Sequence, residues 1–209
     1  RVSYLREHAI SRDLVEKLRK MIPEIVKKAD LVIMSDFNYG FLCDEVRDMI
    51  IKFCRKHDIT MAADSQSSSQ IGDVSKYVGM DLVTPTEREA RLALHDRESG
   101  LVVLARKLEQ KMKAKNLLLT LGADGILIHK PVGDTFETDR IPALNPDPKD
   151  AMGAGDSLLA GAALTLAAGC DIWTAAYIGS LCAAYQVASF GNQPLLKKEL
   201  LGYLNRELS

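Results

Sequence analysis

The sequence predicts an α/β fold, a doubly wound, mostly parallel sheet with helices on both faces that form three α/β/α layers. Two observations support this prediction. Short, continuous apolar runs bounded by turn residues are typical of strands that are buried on both faces. Between them lie segments whose apolar residues recur at i, i+3, i+4 and i+7, the spacing of an amphipathic helix.

The predicted elements follow one another along the chain without a linker, a repeat or a low-complexity tract, so residues 1–209 are expected to form one domain. The predicted strands of the parallel part are 31–36, 59–64, 81–86 and 116–122. The predicted helices around them are 12–28, 43–57, 86–95 and 99–114. LGADGILIHK (121–130) predicts a hairpin around a Gly-Ala-Asp-Gly turn, and TFETDRI (135–141) a further strand. The remaining predicted helices are 154–168, 172–188 (capped by Asp171) and 195–207.

Composition excludes several classes of function. The 27 Lys and Arg residues nearly balance the 28 Asp and Glu residues, so charge gives no argument for nucleic acid or an anionic membrane as a partner. No apolar run reaches the roughly 20 residues of a membrane span, and no signal peptide is visible. The four cysteines show no C-x-x-C spacing, which indicates neither a zinc site nor a disulfide framework. We therefore expect a cytoplasmic protein, and Arg1 in place of Met predicts a piece of a longer chain.

Polar residues and glycine stand where the predicted strands end. They are Asp36, Asp64, Thr84-Pro85-Thr86 and Thr120-Leu121-Gly122. In open α/β sheets, ligands bind beyond the carboxyl ends of the strands, so these residues are expected to meet in one crevice. The histidines, among them His57, His95 and His129, are expected at the surface.

Residues 150–161, DAMGAGDSLLAG, place two glycines between two acids directly before an apolar run. Gly153, Ala154 and Gly155 lead into the predicted helix, whose first N–H groups have no internal partner and carry partial positive charge. Those groups would stabilise a transferring phosphoryl group, and Asp156 could accept the proton of an attacking alcohol. The alternative is that the glycines only permit close packing and that Asp156 only caps the helix.

Three segments resemble motifs of the ribokinase-like (PfkB) carbohydrate kinases. DAMGAGDSLLAG is similar to D-T-x-G-A-G-D-x-F-x-x-G, TPTEREA (84–90) to T-P-N-x-x-E, and LLLTLGADGILI (117–128) to the nucleotide-binding T-x-G-x-x-G hairpin. Finer details in 5–11, 31–42 and 188–195 look most like the kinase domain of the bacterial ADP-heptose synthase group, which phosphorylates the C1 hydroxyl of a heptose 7-phosphate. The resemblance implies a ribokinase-like fold of which the N-terminal part and the lid are missing.

The resemblance implies a role for each matching residue. Asp156 would be the catalytic base, and the N–H groups around Gly153, Ala154 and Gly155 would form the anion hole. The residues implied to contact the nucleotide are Thr86, Thr120, Gly122, Gly125, Ser180 and Asn192.

The cofactors that the resemblance implies are ATP, Mg²⁺ and, as in some family members, a monovalent cation such as K⁺. Glu89 would organise Mg²⁺ through water on the triphosphate, and Asp150 would face the monovalent cation. The implied partner is a small sugar or sugar phosphate, and the full-length protein is expected to be a homodimer.

The sequence departs from the family pattern at three places. Thr86 replaces Asn, Ala151 replaces Thr, and DSQ (64–66) replaces D-P-K. The sugar-binding determinants that precede these motifs in the family have no counterpart in residues 1–30. Two alternatives therefore stay open: a kinase for another small alcohol (a ketohexose phosphate, a pentose or a nucleoside), and a non-catalytic nucleotide-binding module.

Overall fold

The computed structural model describes residues 9–65, 73–191 and 193–207. The strands are β1 (Leu31–Asp36), β2 (Thr60–Ser65), β3 (Leu82–Val83), β4 (Leu117–Thr120), β5 (Ile126–Val132) and β6 (Thr135–Ile141). The helices are α1 (Arg12–Val26), α2 (Asp44–Lys56), α3 (Glu87–Leu94), α4 (Leu101–Met112), α5 (Ala154–Ala167), α6 (Ile172–Val187) and α7 (Lys197–Glu207). Each corresponds to a predicted element. Within the described residues, no helix has both the length and the apolar character of a membrane span.

The described strands form one sheet in chain order, β1-β2-β3-β4-β5-β6. The first four strands pair in parallel, and β5 and β6 extend the sheet as an antiparallel hairpin. The mostly parallel α/β sheet is therefore confirmed. Because β1 to β4 run in the same direction, their carboxyl ends lie at one edge, where the sequence predicts the ligand crevice.

Helices cover both faces of the sheet, as predicted. Alternate strand residues point to opposite faces, so Leu117 and Leu119 pack into the core beneath α1 to α4, whereas Leu118 packs against α5 and α6. The α5–α6 pair is closely packed, since a Cβ on Gly179 of α6 would lie 2.8 Å from the Leu158 carbonyl oxygen of α5. This contact fixes the direction of α5, whose N-terminus carries the glycine motif.

Strand β3 is much shorter than the predicted run 81–86. It ends at Val83, and Pro85 two residues later has no N–H group with which to continue a ladder. The pairing with β4 resumes only through the Thr120 N–H, which donates to the Pro85 carbonyl at 2.9 Å, and through an isolated bridge between Thr86 and Thr120. The interruption thus brings Thr86 next to Thr120.

His129 corrects a prediction, because the structure buries it completely. It lies on β5 on the same face as Leu127, beneath α4, and its ring packs against Phe136 at a centroid distance of 5.0 Å. Burial, with a further contribution from the Arg106 charge, lowers the pKa of His129. His57 and His95 are exposed, as predicted.

Candidate active site

The loop before α5 is held in place by the C-terminal end of α6. The Asp150 carboxylate accepts hydrogen bonds from the backbone N–H groups of Met152 (3.0 Å) and Gly191 (2.9 Å). The buried Gln186 side chain donates to the carbonyls of the same two residues, at 3.2 and 3.0 Å. Asp150, predicted to face a monovalent cation, therefore links two loops, and the backbone N–H groups lower the pKa of its carboxyl.

Helix α5 begins with a turn that requires glycine. Gly153 is the N-cap with φ 78°, a conformation that L side chains rarely adopt, and its carbonyl accepts the N–H of Ser157 at 2.9 Å. Gly155 lies in the first turn with ordinary helical backbone, and a Cβ built on it would meet no atom within 4 Å. The side of the first turn at Gly155 is therefore open, which leaves room for an anion there.

The N–H groups predicted to form the anion hole are not equivalent. The Ala154 N–H donates to the Ala151 carbonyl at 3.3 Å, so it already has an acceptor. The Gly155 N–H follows it in the helix's first turn, where backbone N–H groups lack intrahelical acceptors. Asp156 comes next and is partly buried, with its carboxylate in the turn that a helix dipole favours for negative charge.

Three carboxyl groups influence one another electrostatically near the carboxyl edge of the sheet. Asp64, at the end of β2, is buried, and this burial raises the pKa of its carboxyl to about 7, with further contributions from Glu89 and Asp156. The charges of the three groups therefore influence one another across three elements.

This group of acids fits Mg²⁺ that is bound mainly through a nucleotide. The described residues contain no cluster of three or more side chains arranged to hold a metal by themselves. Mg²⁺ typically keeps several waters and uses one or two carboxylates together with substrate phosphates. The carboxylate oxygens of Glu89 and Asp64 are ligands of the type that Mg²⁺ prefers.

Thr86 and Glu89 form a reciprocal capping box at the start of α3. The Thr86 N–H donates to Glu89 Oε2 at 2.8 Å, and the Glu89 N–H donates to Thr86 Oγ1 at 3.2 Å. Threonine in place of the family's asparagine thus has a structural role as a helix cap. The Glu89 Oε2 atom already accepts a hydrogen bond in this cap. The predicted magnesium contact of Glu89 would therefore use the lone pairs of the carboxylate that the cap leaves free.

A cavity of about 700 Å³ opens between α3 and the end of β4. Three residues predicted to contact the nucleotide line it, namely Thr86, Thr120 and Gly122. Gly125 is not among its lining residues. A Cβ on Gly125, whose φ is 84°, would collide with the Ile141 carbonyl, so the hairpin's packing explains this glycine and its nucleotide contact stays a prediction.

The last two predicted nucleotide contacts are Ser180 and Asn192. Ser180 lies on α6 and is buried, and its hydroxyl has no hydrogen-bond partner within the described part of the chain. In this conformation Ser180 does not present its side chain to an open surface. Asn192 lies outside the described residues.

Asp36, at the end of β1, differs from Asp64 although both are buried strand-end aspartates. Burial alone would raise the pKa of Asp36, but hydrogen bonds from Lys76, Tyr77 and the Asn38 N–H outweigh it and hold that pKa below its usual range. The hydrogen bonds to Asp36 favour its ionised form. For Asp64, burial and the nearby charge of Glu89 favour the protonated form instead.

The sequence of this chain matches a known protein family over almost the whole length of the chain. Residues 7–199 match the family described as pfkB family carbohydrate kinase. The chain belongs to the PfkB family of carbohydrate kinases. This membership confirms the resemblance seen in the sequence motifs.

Several curated PfkB relatives carry the name "Bifunctional protein HldE". The protein from Helicobacter hepaticus is 29% identical over 204 residues, which is 96% of this chain and 40% of that protein. The protein from Desulfatibacillum aliphaticivorans is 30% identical over 208 residues, 98% of this chain and 41% of that protein. The chain therefore spans less than half the length of these relatives.

Solved structures of a phosphofructokinase and a ribokinase share the fold. The crystal structure of phosphofructokinase-2 from Escherichia coli in complex with potassium superposes with a TM-score of 0.75 at 17% identity, covering 95% of this chain and 64% of that one. Ribokinase from Thermotoga maritima gives a TM-score of 0.68 at 20% identity, covering 90% of this chain and 61% of that one. At these identities the likeness establishes the ribokinase-like fold.

Two features of the site were missed in the sequence. Asp64 was identified only as a strand-end residue, and its neighbourhood with Glu89 and Asp156 follows from the order of β2, β3 and α5 in the fold. The arginines that line the cavity beside Thr120, Arg88 and Arg97 among them, were not identified. Their convergence depends on the path of the loop after α3, for which the sequence offers no pattern.

Proposed function

We propose that this chain is the nucleotide-binding part of an ATP-dependent sugar kinase whose acceptor is the C1 hydroxyl of a heptose 7-phosphate. One observation carries the proposal. The first turn of α5 presents Gly155 to open space directly beside Asp156, behind a Gly153 cap that only glycine accommodates without strain. A chain with this turn in the PfkB family signature has the parts needed to bind a phosphoryl group next to a base.

Asp156 acts as the general base in the proposed reaction. Its carboxylate takes the proton of the sugar hydroxyl as the hydroxyl oxygen forms a bond to the γ-phosphorus of ATP. The bond between that phosphorus and the β–γ bridging oxygen breaks, and ADP leaves with the electron pair. The products are ADP, the phosphorylated sugar and a protonated Asp156, which returns its proton to solvent.

The backbone N–H groups at the start of α5 stabilise charge during the transfer. The Gly155 N–H and its neighbours in the first turn direct partial positive charge toward the phosphoryl oxygens. Asp150 and Gln186 hold the preceding loop against α6, so these groups are oriented before the substrate arrives. Pre-orientation matters because displacements of about 1 Å in a catalytic site can reduce rates about 100-fold.

Carboxylates at the carboxyl edge would hold Mg²⁺ on the triphosphate. Glu89, through water, and Asp64 are the residues of this chain that would do so, and the ion would neutralise charge on the β- and γ-phosphates. Asp150 would serve a K⁺ site near the same loop. Thr86, Thr120 and Gly122 would contact the nucleotide from the cavity side.

The choice of a heptose phosphate rests on the relatives named HldE, the ADP-heptose synthase group. Kinases for a ketohexose phosphate, a pentose or a nucleoside form the second candidate, because the residues described here shape the nucleotide side rather than the sugar side. A non-catalytic nucleotide-binding module is the third, and Thr86 and Ala151 in place of the family's Asn and Thr are the observations that favour it.

The experiment that separates these candidates is a transfer assay on the intact protein that contains these residues. Mg·ATP is supplied with heptose 7-phosphate, fructose 6-phosphate, ribose or a nucleoside, and ADP release is followed. Asp156→Asn is expected to keep the fold and the affinity for ATP while turnover falls by at least about 100-fold. Normal turnover in that variant would exclude Asp156 as the base, and turnover with none of the acceptors would favour the non-catalytic module.

A further inference from the structure

One acceptor group and one donor group join the loop before α5 to the loop after α6. The Asp150 carboxylate accepts the N–H groups of Met152 and Gly191, at 3.0 and 2.9 Å. The Gln186 Nε2 atom donates to the carbonyls of the same two residues, at 3.2 and 3.0 Å. The amide nitrogen, which carries partial positive charge, therefore lies between oxygen atoms of both loops, next to the loop residue that was expected to face a monovalent cation.

The other carbonyls close to Asp150 in these loops also have protein donors. The Ala151 carbonyl accepts the N–H of Ala154 at 3.3 Å. The Val187 carbonyl accepts the N–H groups of Lys149 and Asp150, at 2.7 and 3.3 Å. The two loops are thus held together by hydrogen bonds within the protein, and an ion is not needed to supply a partner for these oxygen atoms.

The position of the Gln186 amide is fixed by its helix and by its own chemistry. Gln186 is 2% exposed and is the last residue but one of α6, the helix that packs closely on α5. A primary amide has two N–H donors on its nitrogen, and each of them meets one of the two carbonyls. The reversed orientation would direct Oε1 at two carbonyl oxygens and leave all three without a donor, so the hydrogen bonds determine the orientation.

A monovalent cation beside Asp150 does not fit this arrangement. K⁺ exchanges its hydration shell for several oxygen ligands, and backbone carbonyls are the ligands that proteins use for it. The carbonyls of Met152 and Gly191 are the ones through which the two loops converge, and the Gln186 nitrogen lies within hydrogen-bond distance of both. An ion with these ligands would have to displace a buried amide and leave its donors without acceptors, which is costly.

We propose that the Gln186 amide takes the place of a monovalent cation, so that the loop before α5 is ordered without K⁺. In this chain the amide replaces the K⁺ ion that the proposed function assigns to Asp150, and the rest of the proposed function is unaffected. Asp150 and Gln186 are then positioning residues that act through the backbone of the loop. The consequence is that neither the stability of the chain nor its affinity for ATP depends on K⁺.

The first test needs no ATP and compares denaturation in potassium chloride with denaturation in tetramethylammonium chloride at equal ionic strength. The midpoint of the unchanged chain should be the same in both salts. Gln186→Ala leaves two carbonyls without a donor, which should raise the equilibrium constant of unfolding at least about tenfold in tetramethylammonium. It also leaves a space between those carbonyls and Asp150, so K⁺ should restore part of the loss.

Two further variants separate ion binding from other effects. Gln186→Met fills the same space with an apolar side chain, so it should be destabilised without any restoration by K⁺. Gln110→Ala removes an exposed glutamine of α4 and should behave as the unchanged chain does. A stabilisation of the unchanged chain by K⁺ that Gln186→Met lacks would overturn the proposal. Equal responses of Gln186→Ala and Gln186→Met to K⁺ would overturn it as well, because the amide would then not occupy a cation position.

The second test is calorimetric titration of Mg·ATP into the unchanged chain in the same two salts. Equal affinity in both is the expected result, and a several-fold higher affinity in potassium chloride would contradict the proposal. Absence of ATP binding in both salts would contradict the proposed function alone, since the denaturation experiment then decides whether the amide replaces the ion.

Discussion

The Glu89 carboxylate accepts the backbone N–H of Thr86 at 2.8 Å, while the Thr86 hydroxyl accepts the backbone N–H of Glu89 at 3.2 Å. The same carboxylate contributes to the raised pKa of Asp64. One side chain therefore stabilises the start of α3 and takes part in the group of acids at the sheet edge. A structural role and a role in metal binding can be separated by substitutions that preserve the cap.

Glu89→Gln is the substitution that preserves the cap. Glutamine also completes a capping box, so the free energy of unfolding should change by less than about 1 kcal/mol. The lost charge should raise the Mg²⁺ concentration needed for half-maximal ATP binding several-fold, measured by titration at fixed ATP. Thr86→Ser is the control, since it keeps the capping hydroxyl. An unchanged Mg²⁺ requirement in Glu89→Gln would mean that Glu89 is only a cap.

Replacing Gly153 by alanine should lower the stability of the protein, whereas replacing Gly155 by alanine should not. Gly153→Ala forces a Cβ into a left-handed conformation and should lower the free energy of unfolding by about 1–2 kcal/mol. Gly155→Ala meets open space in an ordinary helical turn and should leave it unchanged or raise it by about 0.5–1 kcal/mol. Chemical denaturation measures both changes. Equal destabilisation by the two substitutions would contradict the assigned turn.

Gln186→Met should loosen the loop before α5 without removing any residue of the anion site. The substitution keeps the side-chain volume nearly constant but leaves the carbonyls of Met152 and Gly191 without their donor. We expect a loss of about 1–3 kcal/mol in the free energy of unfolding and a weaker affinity for ATP. Calorimetry and denaturation on the same sample measure the two effects. A large loss of stability with unchanged ATP affinity would show that loop order does not govern binding.

Asp64 should make the stability of the metal-free protein depend on pH. The folded state keeps a proton on Asp64 up to about pH 7, whereas the unfolded chain releases it near pH 4. Because the folded state binds more protons in this interval, the free energy of unfolding falls as the pH rises from about 4 to 7 and is then level.

Asp64→Asn should remove this dependence. The variant should be more stable than the unchanged chain at pH 8, by an amount on the order of a few kcal/mol, and the difference should shrink toward pH 4. Denaturation with EDTA present, at pH 5 and pH 8, gives the two values. A difference of the same size at both pH values would argue against a raised pKa for Asp64.

Periodicity and turn residues were sufficient to predict the helices, the parallel sheet and the hairpin. These features are local in origin, since apolar spacing and the glycines at 122 and 125 are read directly from the chain. The predicted strand 81–86 is longer than β3, because Pro85 has no N–H group with which to continue the pairing, and the pattern of side chains does not express this backbone constraint.

Long-range packing explains what the sequence did not reveal. His129 was predicted at the surface, but α4 covers its strand, and nothing in the residues around His129 indicates that cover. Arg88 and Arg97 are nine residues apart, with no helical or strand spacing between them. Hydrogen bonds from Arg91 to the carbonyls of Asp96 and Ser99, on either side of Arg97, hold the loop that carries Arg97 against α3.

The central claim is that the start of α5 binds nucleotide phosphates. Calorimetric titration of Mg·ATP into the 209-residue chain and into Gly155→Val tests it most directly. The proposed site requires saturable binding by the unchanged chain that is lost in the variant, whose circular dichroism spectrum stays the same. Binding of equal affinity in both proteins would contradict the claim, because a branched side chain would then occupy the phosphate position without effect.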